Sequence, residues 1–181
     1  MKTLSEKQAA LKLQKLKADF QNFIRQNYEH KAKNCLTCET KGACCLDAHF
    51  VNVHITRLEA VLISSELQKL PVEKQKEVYE RIEKTIEKYN LNSSGDTFAQ
   101  TFACPLFEKE IGCLVHSAGK PAPCIQHACY ENKSDLPPDE LQTEKENLIG
   151  YLNKRAYNKN WSWLPLPIWL SLINPFLKNK E

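Results

Sequence analysis

Eight cysteines lie between Cys35 and Cys129, in two groups separated by residues 46–103. The first group is Cys35, Cys38, Cys44 and Cys45, and the second is Cys104, Cys113, Cys124 and Cys129. Met1 to Gln8 has neither an apolar run nor a small-residue cleavage site, so the expected compartment is the reducing cytoplasm. Clustered thiols there are metal ligands more often than disulfide partners. Cys35-x2-Cys38 has knuckle spacing, in which a tight turn brings two sulfurs to one ion. The same spacing serves thioredoxin-like redox chemistry, but that chemistry places the pair between a strand and a helix. Here the pair follows a long helical pattern and leads into more cysteines. Cys44 and Cys45 are adjacent, so a bridge between them is strained and their diverging side chains suit different roles or different ions.

The expected ligand set is all eight cysteines, and the expected cargo is zinc or iron, including an iron–sulfur centre. Cys113-x2-His116 and Cys124-x2-His127 also have ligand-like spacing, although each imidazole has an ordinary core or surface role as its alternative. Gly42, Gly112 and Gly119 fall inside the cysteine segments, where tight turns favour residues tolerant of positive φ. Bound thiolates are anionic, and Lys31, Lys33, Lys41, Lys109, Lys120 and Lys133 stand near them in sequence as counter-charges. An enzymatic version would add an acid or base, for which Asp47, His49 and Glu108 are the candidates. No dinucleotide-binding glycine motif, phosphate loop or Cys-x3-Cys-x2-Cys run accompanies them.

These cysteines need elements to position them. Residues 5–31 read as an amphipathic helix opened by a Ser5/Gln8 capping box, with Leu13, Leu16, Phe20, Phe23, Ile24 and Tyr28 on one face. Val51, Val53 and Ile55 alternate, which predicts a short strand over 49–55. Thr56 and Glu59 form a second capping box, opening a helix to about Leu70. Pro71 suits the first turn of the next helix, to about Tyr89, with Val78, Ile82, Ile86 and Tyr89 on its face. A polar loop over 90–96 leads into irregular pieces over 97–130. Asp139 caps a last helix to about Asn158, with Leu141, Leu148, Tyr151 and Leu152 turned inward. Residues 161–181 carry all three tryptophans among prolines. They read as a strap that buries its aromatics, or as an apolar patch for a protein partner or a membrane surface.

The pattern Cys35-x2-Cys38-x5-Cys44-Cys45, then Cys104, then Cys113-Leu114-Val115-His116 and Pro121-x2-Cys124, resembles the bacterial YkgJ-like cysteine-cluster family. Its members are described as zinc- or iron-chelating domains with a CxxCxxCC signature. Ile55-Thr56-Arg57-Leu58-Glu59 is similar to the helix opening that follows the double cysteine in that family. Two features depart from the pattern. Glu39 to Ala43 lengthens the spacing before the double cysteine, and Lys120-Pro121 stands where the family carries Arg-Pro. The resemblance implies metal binding and carries no settled reaction.

Together these readings predict a mainly α chain: one domain over 1–181, with irregular cysteine-rich metal-binding segments over 35–129 packed between helices. Its 25 basic and 22 acidic residues give a net charge of +3, too weak a balance to argue for nucleic acid as a partner. No apolar run is long enough for a transmembrane helix. The expected function is thiolate chelation of zinc or iron. An iron–sulfur oxidoreductase or a metal-dependent maturation enzyme is the alternative.

Overall fold

The computed structural model describes residues 3–33, 42–46 and 51–177. The described chain is mainly helical, as its periodicity predicts. Helix α1 spans Glu6–Asn27, and a 3-10 turn follows at Glu29–Lys31. Both halves of the Ser5/Gln8 capping box form, satisfying two N–H groups that the first turn leaves without helical partners. The expected single helix to residue 31 is broken at Tyr28, whose φ of −132° leaves the helical region. Phe23 is another correction. It lies on the solvent side, 42% exposed, with its ring against Tyr28.

Helix α2 (Ala43–Leu46) is a single turn, and β1 is His54–Ile55. Helix α3 (Arg57–Leu67) opens with the Thr56/Glu59 capping box and ends slightly before the expected Leu70. Helix α4 spans Val72–Tyr89 and closes on Asn90, whose positive φ supplies the left-handed turn. Strands β2 (Phe107–Glu108) and β3 (Gly112–Cys113) form a small hairpin. Helix α5 is Ala122–Gln126, α6 is Asp139–Tyr157, β4 is Leu164–Pro165 and α7 is Leu166–Leu172. Of the strand expected over 49–55, the described residues 51–55 form only β1, which pairs antiparallel with β4.

Helix α3 explains the layering. Buried residues stand on two of its sides, while Ser65 is exposed and Glu66 half-buried. Leu58 and Leu62 point into one cluster, with Ala9, Leu13, Phe20 and Ile24 of α1 and Ile149 of α6. Ala60, Ile63 and Leu67 point into another, with Val78, Tyr79 and Ile82 of α4 and Leu166 to Leu170. Each fully buried Leu or Ile contributes about 1.5–3 kcal/mol, so this helix is the shared wall of two cores.

Within residues 161–177, Trp169 is buried, whereas Trp161 and Trp163 are half-buried. Leu164 to Leu170 are buried, and Trp169 donates its Nε1–H to the Ser162 carbonyl at 3.1 Å. Two details of α6 differ from expectation. Its N-cap position is Pro138, with Asp139 the first helical residue. Its buried positions are Ile149 and Asn153, while Leu148 and Tyr151 are exposed. Asn153 is polar yet sits in the core, where its Oδ1 accepts the Leu58 N–H at 3.0 Å, at the start of α3.

His54 is also buried and polar. Its Nδ1 lies 2.7 Å from the Asn52 carbonyl, which can only accept, so Nδ1 carries the proton. Its Nε2 then accepts from Thr97 Oγ1 at 3.3 Å, and its ring stacks on Phe98. Burial pushes its pKa below the ordinary 6.5. The unfolded chain therefore binds the more protons as pH falls, and this contribution to stability, complete above about pH 6.5, declines below it. His54→Gln is expected to flatten that acid-side decline when urea midpoints are compared at pH 7.5 and 5.5. An unchanged slope would reject the assignment.

Candidate metal centre

Cys44, Cys45, Cys104, Cys113, Cys124 and Cys129 lie on described segments, and Cys35 and Cys38 lie outside the described residues, as do Lys41, Asp47 and His49. Five thiols come from four short pieces. Cys44 and Cys45 sit on α2, Cys104 precedes β2, Cys113 ends β3 and Cys124 lies in α5. Each piece is too short to hold itself in place, so neighbours fix it. Cys104 donates its N–H to the Cys45 carbonyl at 2.7 Å, joining the two cysteine groups across the chain. Gly42, at φ +79°, brings the start of α2 against the Phe107 ring so closely that a Cβ would collide with it. Gly119 sits against Ile63 of α3, where an added Cβ would lie 3.5 Å from the Ile63 Cα.

Charged residues of α4 hold the hairpin. Arg81 donates its Nε–H to the Pro105 carbonyl at 2.6 Å, and Glu108 pairs with Lys74 and, at 4.0 Å, with Arg81 Nη1. Glu108, an acid/base candidate in sequence, is thus engaged in anchoring β2.

The thiols interact electrically. The Cys44 and Cys45 sulfurs are 4.0 Å apart. The hydrogen bond from Cys45 draws the Cys44 pKa down to about 6 despite burial, and His127 and Lys120 add to the effect. The same hydrogen bond pushes Cys45 up, helped by burial and by the charges of Cys44, Cys104 and Cys124. Burial pushes Cys104 up to about 12, with Cys113 adding to the rise and Arg81 opposing it. Burial likewise raises Cys113 and Cys124, and Lys120 opposes both shifts. Lys17 also opposes the shift of Cys124.

Among the described lysines expected as counter-charges, Lys120 stands in the field of Cys44, Cys113 and Cys124. Lys31 instead pairs with Asp135 and Lys33 with Glu131. Lys17 and Arg81 escaped the sequence reading because they are far from the cysteines along the chain. The two histidines separate. His127 acts on Cys44, whereas His116 faces the field of Lys120, Glu29 and Arg25.

Cys129 follows α5 in the chain. Its carbonyl accepts the Lys33 N–H at 2.9 Å, and Tyr130 bridges to Ala32. This pairing brings its backbone beside the residues that precede Cys35 in sequence. Among the described residues, no group of three or more His, Cys, Asp or Glu side chains is arranged to hold a metal ion. No helix among the described residues is long and apolar enough to cross a membrane.

Comparison with family profiles, curated proteins and solved structures finds no match to this chain.

Proposed function

We propose that this chain is a cysteine-cluster metal-binding protein that holds zinc or iron through thiolates in a reducing compartment. The observation that carries this reading is that the two cysteine groups meet across the chain, with the Cys104 N–H on the Cys45 carbonyl at 2.7 Å and the Cys44 and Cys45 sulfurs 4.0 Å apart. Soft thiolates select zinc, copper(I) or iron–sulfur centres over hard cations. Cys45, Cys104, Cys113 and Cys124 are the proposed holders, with Cys44, Cys35, Cys38 and Cys129 completing the set. Lys120, Lys17 and Arg81 supply cationic surroundings for a site that gains negative charge when its thiols deprotonate. The similarity to the YkgJ-like pattern points the same way.

The fit is chemical. Four of the five thiols are pushed up, Cys45 chiefly by its hydrogen bond with Cys44 and the other three by burial, so they are neutral without a cation. A bound cation favours the thiolates and releases their protons, which couples loading to pH and to folding. The residues come from both ends of the long 46–103 insertion, so loading would also clamp the α2 segment to the β2–β3 hairpin. An enzymatic reading needs an acid or base left available beside the thiols. Among the described candidates, Glu108 is ion-paired with Lys74, which favours the binding reading.

Elemental analysis and an absorption spectrum of anaerobically purified protein test the proposal. Stoichiometric zinc without colour supports a chelating or structural role. Iron with acid-labile sulfide and a visible band supports an iron–sulfur centre. A folded, metal-free chain rejects both. Cys38→Ser and Cys124→Ser are each expected to lower metal content and thermal stability together. Unchanged stoichiometry in both variants would remove them from the ligand set.

A further inference from the structure

A cleft of about 720 Å³ lies on the other side of α5, between α6, the segment preceding β1 and the start of the strap. Its size is that of a small-molecule site, within the usual range of about 300–1,000 Å³. Pro123 is its point of nearest approach in sequence to a thiol, and no cysteine lines it. It is therefore a feature separate from the candidate metal centre.

The lining has a definite chemical character. Five of its side chains are amides, among them Asn52, Gln142, Asn153 and Asn160. Its aromatic surfaces are Phe98, Tyr151, Trp161 and Trp163. Phe98 and Tyr151 are held at the surface, 62% and 48% exposed, where large rings gain little from folding. The charged residues are one of each sign, Glu146 and Lys154, so the cleft does not select an anion or a cation.

Hydrogen-bonding capacity is left over at the same place. Asn153 is 3% exposed and spends its Oδ1 on the Leu58 N–H, while no described residue accepts from its Nδ2. Asn153 lines the cleft, so its Nδ2 remains available there as a donor. Glu146 takes the Gln142 Nε2–H on Oε1 at 2.9 Å, leaving Oε2 as an acceptor. Gln142 thereby orients the carboxylate.

Aromatic faces alternating with amides suit a ligand whose own surface alternates between C–H faces and hydroxyl edges. A hydroxyl both donates and accepts, so one ligand type satisfies Asn153 Nδ2 and Glu146 Oε2 alike. A flat heterocycle would use the rings and leave most of the amides unserved. A peptide would need a run of backbone partners, which this lining does not offer. We propose that the cleft between α6 and the tryptophan strap binds a neutral, polyhydroxylated ligand of about disaccharide size.

The test is a titration of the full chain, with its metal as purified, with maltose, cellobiose and lactose, followed by tryptophan fluorescence and calorimetry. Trp161 and Trp163 line the cleft, so occupation reports directly on their emission. At least one disaccharide is expected to saturate the signal. Tyr151→Ala and Glu146→Gln are expected to weaken that binding by roughly tenfold each, with metal content and thermal midpoint unchanged. Tyr151 is exposed, so its removal leaves the core intact. Lack of saturation by all three sugars up to about 0.1 M would overturn the proposal. So would saturation by adenosine alone, or sugar binding indifferent to both substitutions. Because metal content is read separately, failure of this inference and failure of the metal reading give different results.

Discussion

Lys17→Met is expected to lower the unfolding free energy by about 3–5 kcal/mol. Lys17 lies on the buried stripe of α1, 4% exposed, with its Nζ 2.9 Å from Glu59 Oε1, and Glu59 is 1% exposed. The contact is ionic in character, since neither atom makes a well-aligned hydrogen bond. Glu59 Oε2 meanwhile accepts the Thr56 N–H at 3.0 Å in the capping box. Removing the ammonium leaves a carboxylate inside the core with half of its partners gone. The double variant Lys17→Met/Glu59→Gln removes both charges and keeps an amide oxygen for Thr56, so it should regain most of the loss. Urea unfolding of the three proteins decides the matter. If the double variant is as unstable as Lys17→Met, the loss comes from packing of the lysine stem and not from a stranded charge. Lys17 also stands in the field of Cys124, so metal content in these variants shows whether this cation matters to the thiols.

Gly42→Ala should be the most damaging glycine replacement. An L side chain at φ +79° costs about 1–2 kcal/mol, and the new Cβ would fall on the Phe107 ring. Overpacking of that kind adds about 1–3 kcal/mol. Gly95→Ala is the natural control, since Gly95 has φ +72° with open space where its Cβ would go. It should lose only the conformational part. The excess loss in Gly42→Ala measures how strongly the first cysteine segment depends on the hairpin that carries Cys113. Equal losses in the two variants would mean that α2 moves off Phe107 without consequence. Under the metal proposal, Gly42→Ala also lowers metal uptake, because it displaces Cys44 and Cys45 together.

What could be read from the sequence was local. The capping boxes at Ser5 and Thr56 involve residues three apart, and both form. The face of α4 followed from a strong apolar period, and Val78 and Ile82 are fully buried. Helix α6 was misread because its period is weak. The choice between Leu148 and Ile149 depends on which side α1 and α3 approach. Lys17 was invisible because a lysine in an amphipathic helix reads as surface until a distant carboxylate is placed against it. The cysteines could be recognised as thiols worth clustering, but their convergence depends on contacts such as Cys45 with Cys104, across a long insertion. Neither composition nor spacing contains that distance. The cleft lies outside the cysteine pattern altogether, and its amides come from segments that look like ordinary polar helix and loop.

The position of α3 between two cores has a consequence for synthesis. Its Leu58 and Leu62 side is covered by α1, made earlier, and by α5 and α6. Its Ala60, Ile63 and Leu67 side shares a cluster with Leu164, Leu166, Ile168, Trp169 and Leu170. A growing chain therefore carries a face of its central helix that α4 and the residues after it cover only in part until residues 164–170 are made. A chain truncated near residue 160 should expose that face and aggregate more readily than the full chain. The tryptophan strap would then be the step that turns a sticky nascent chain into a soluble one.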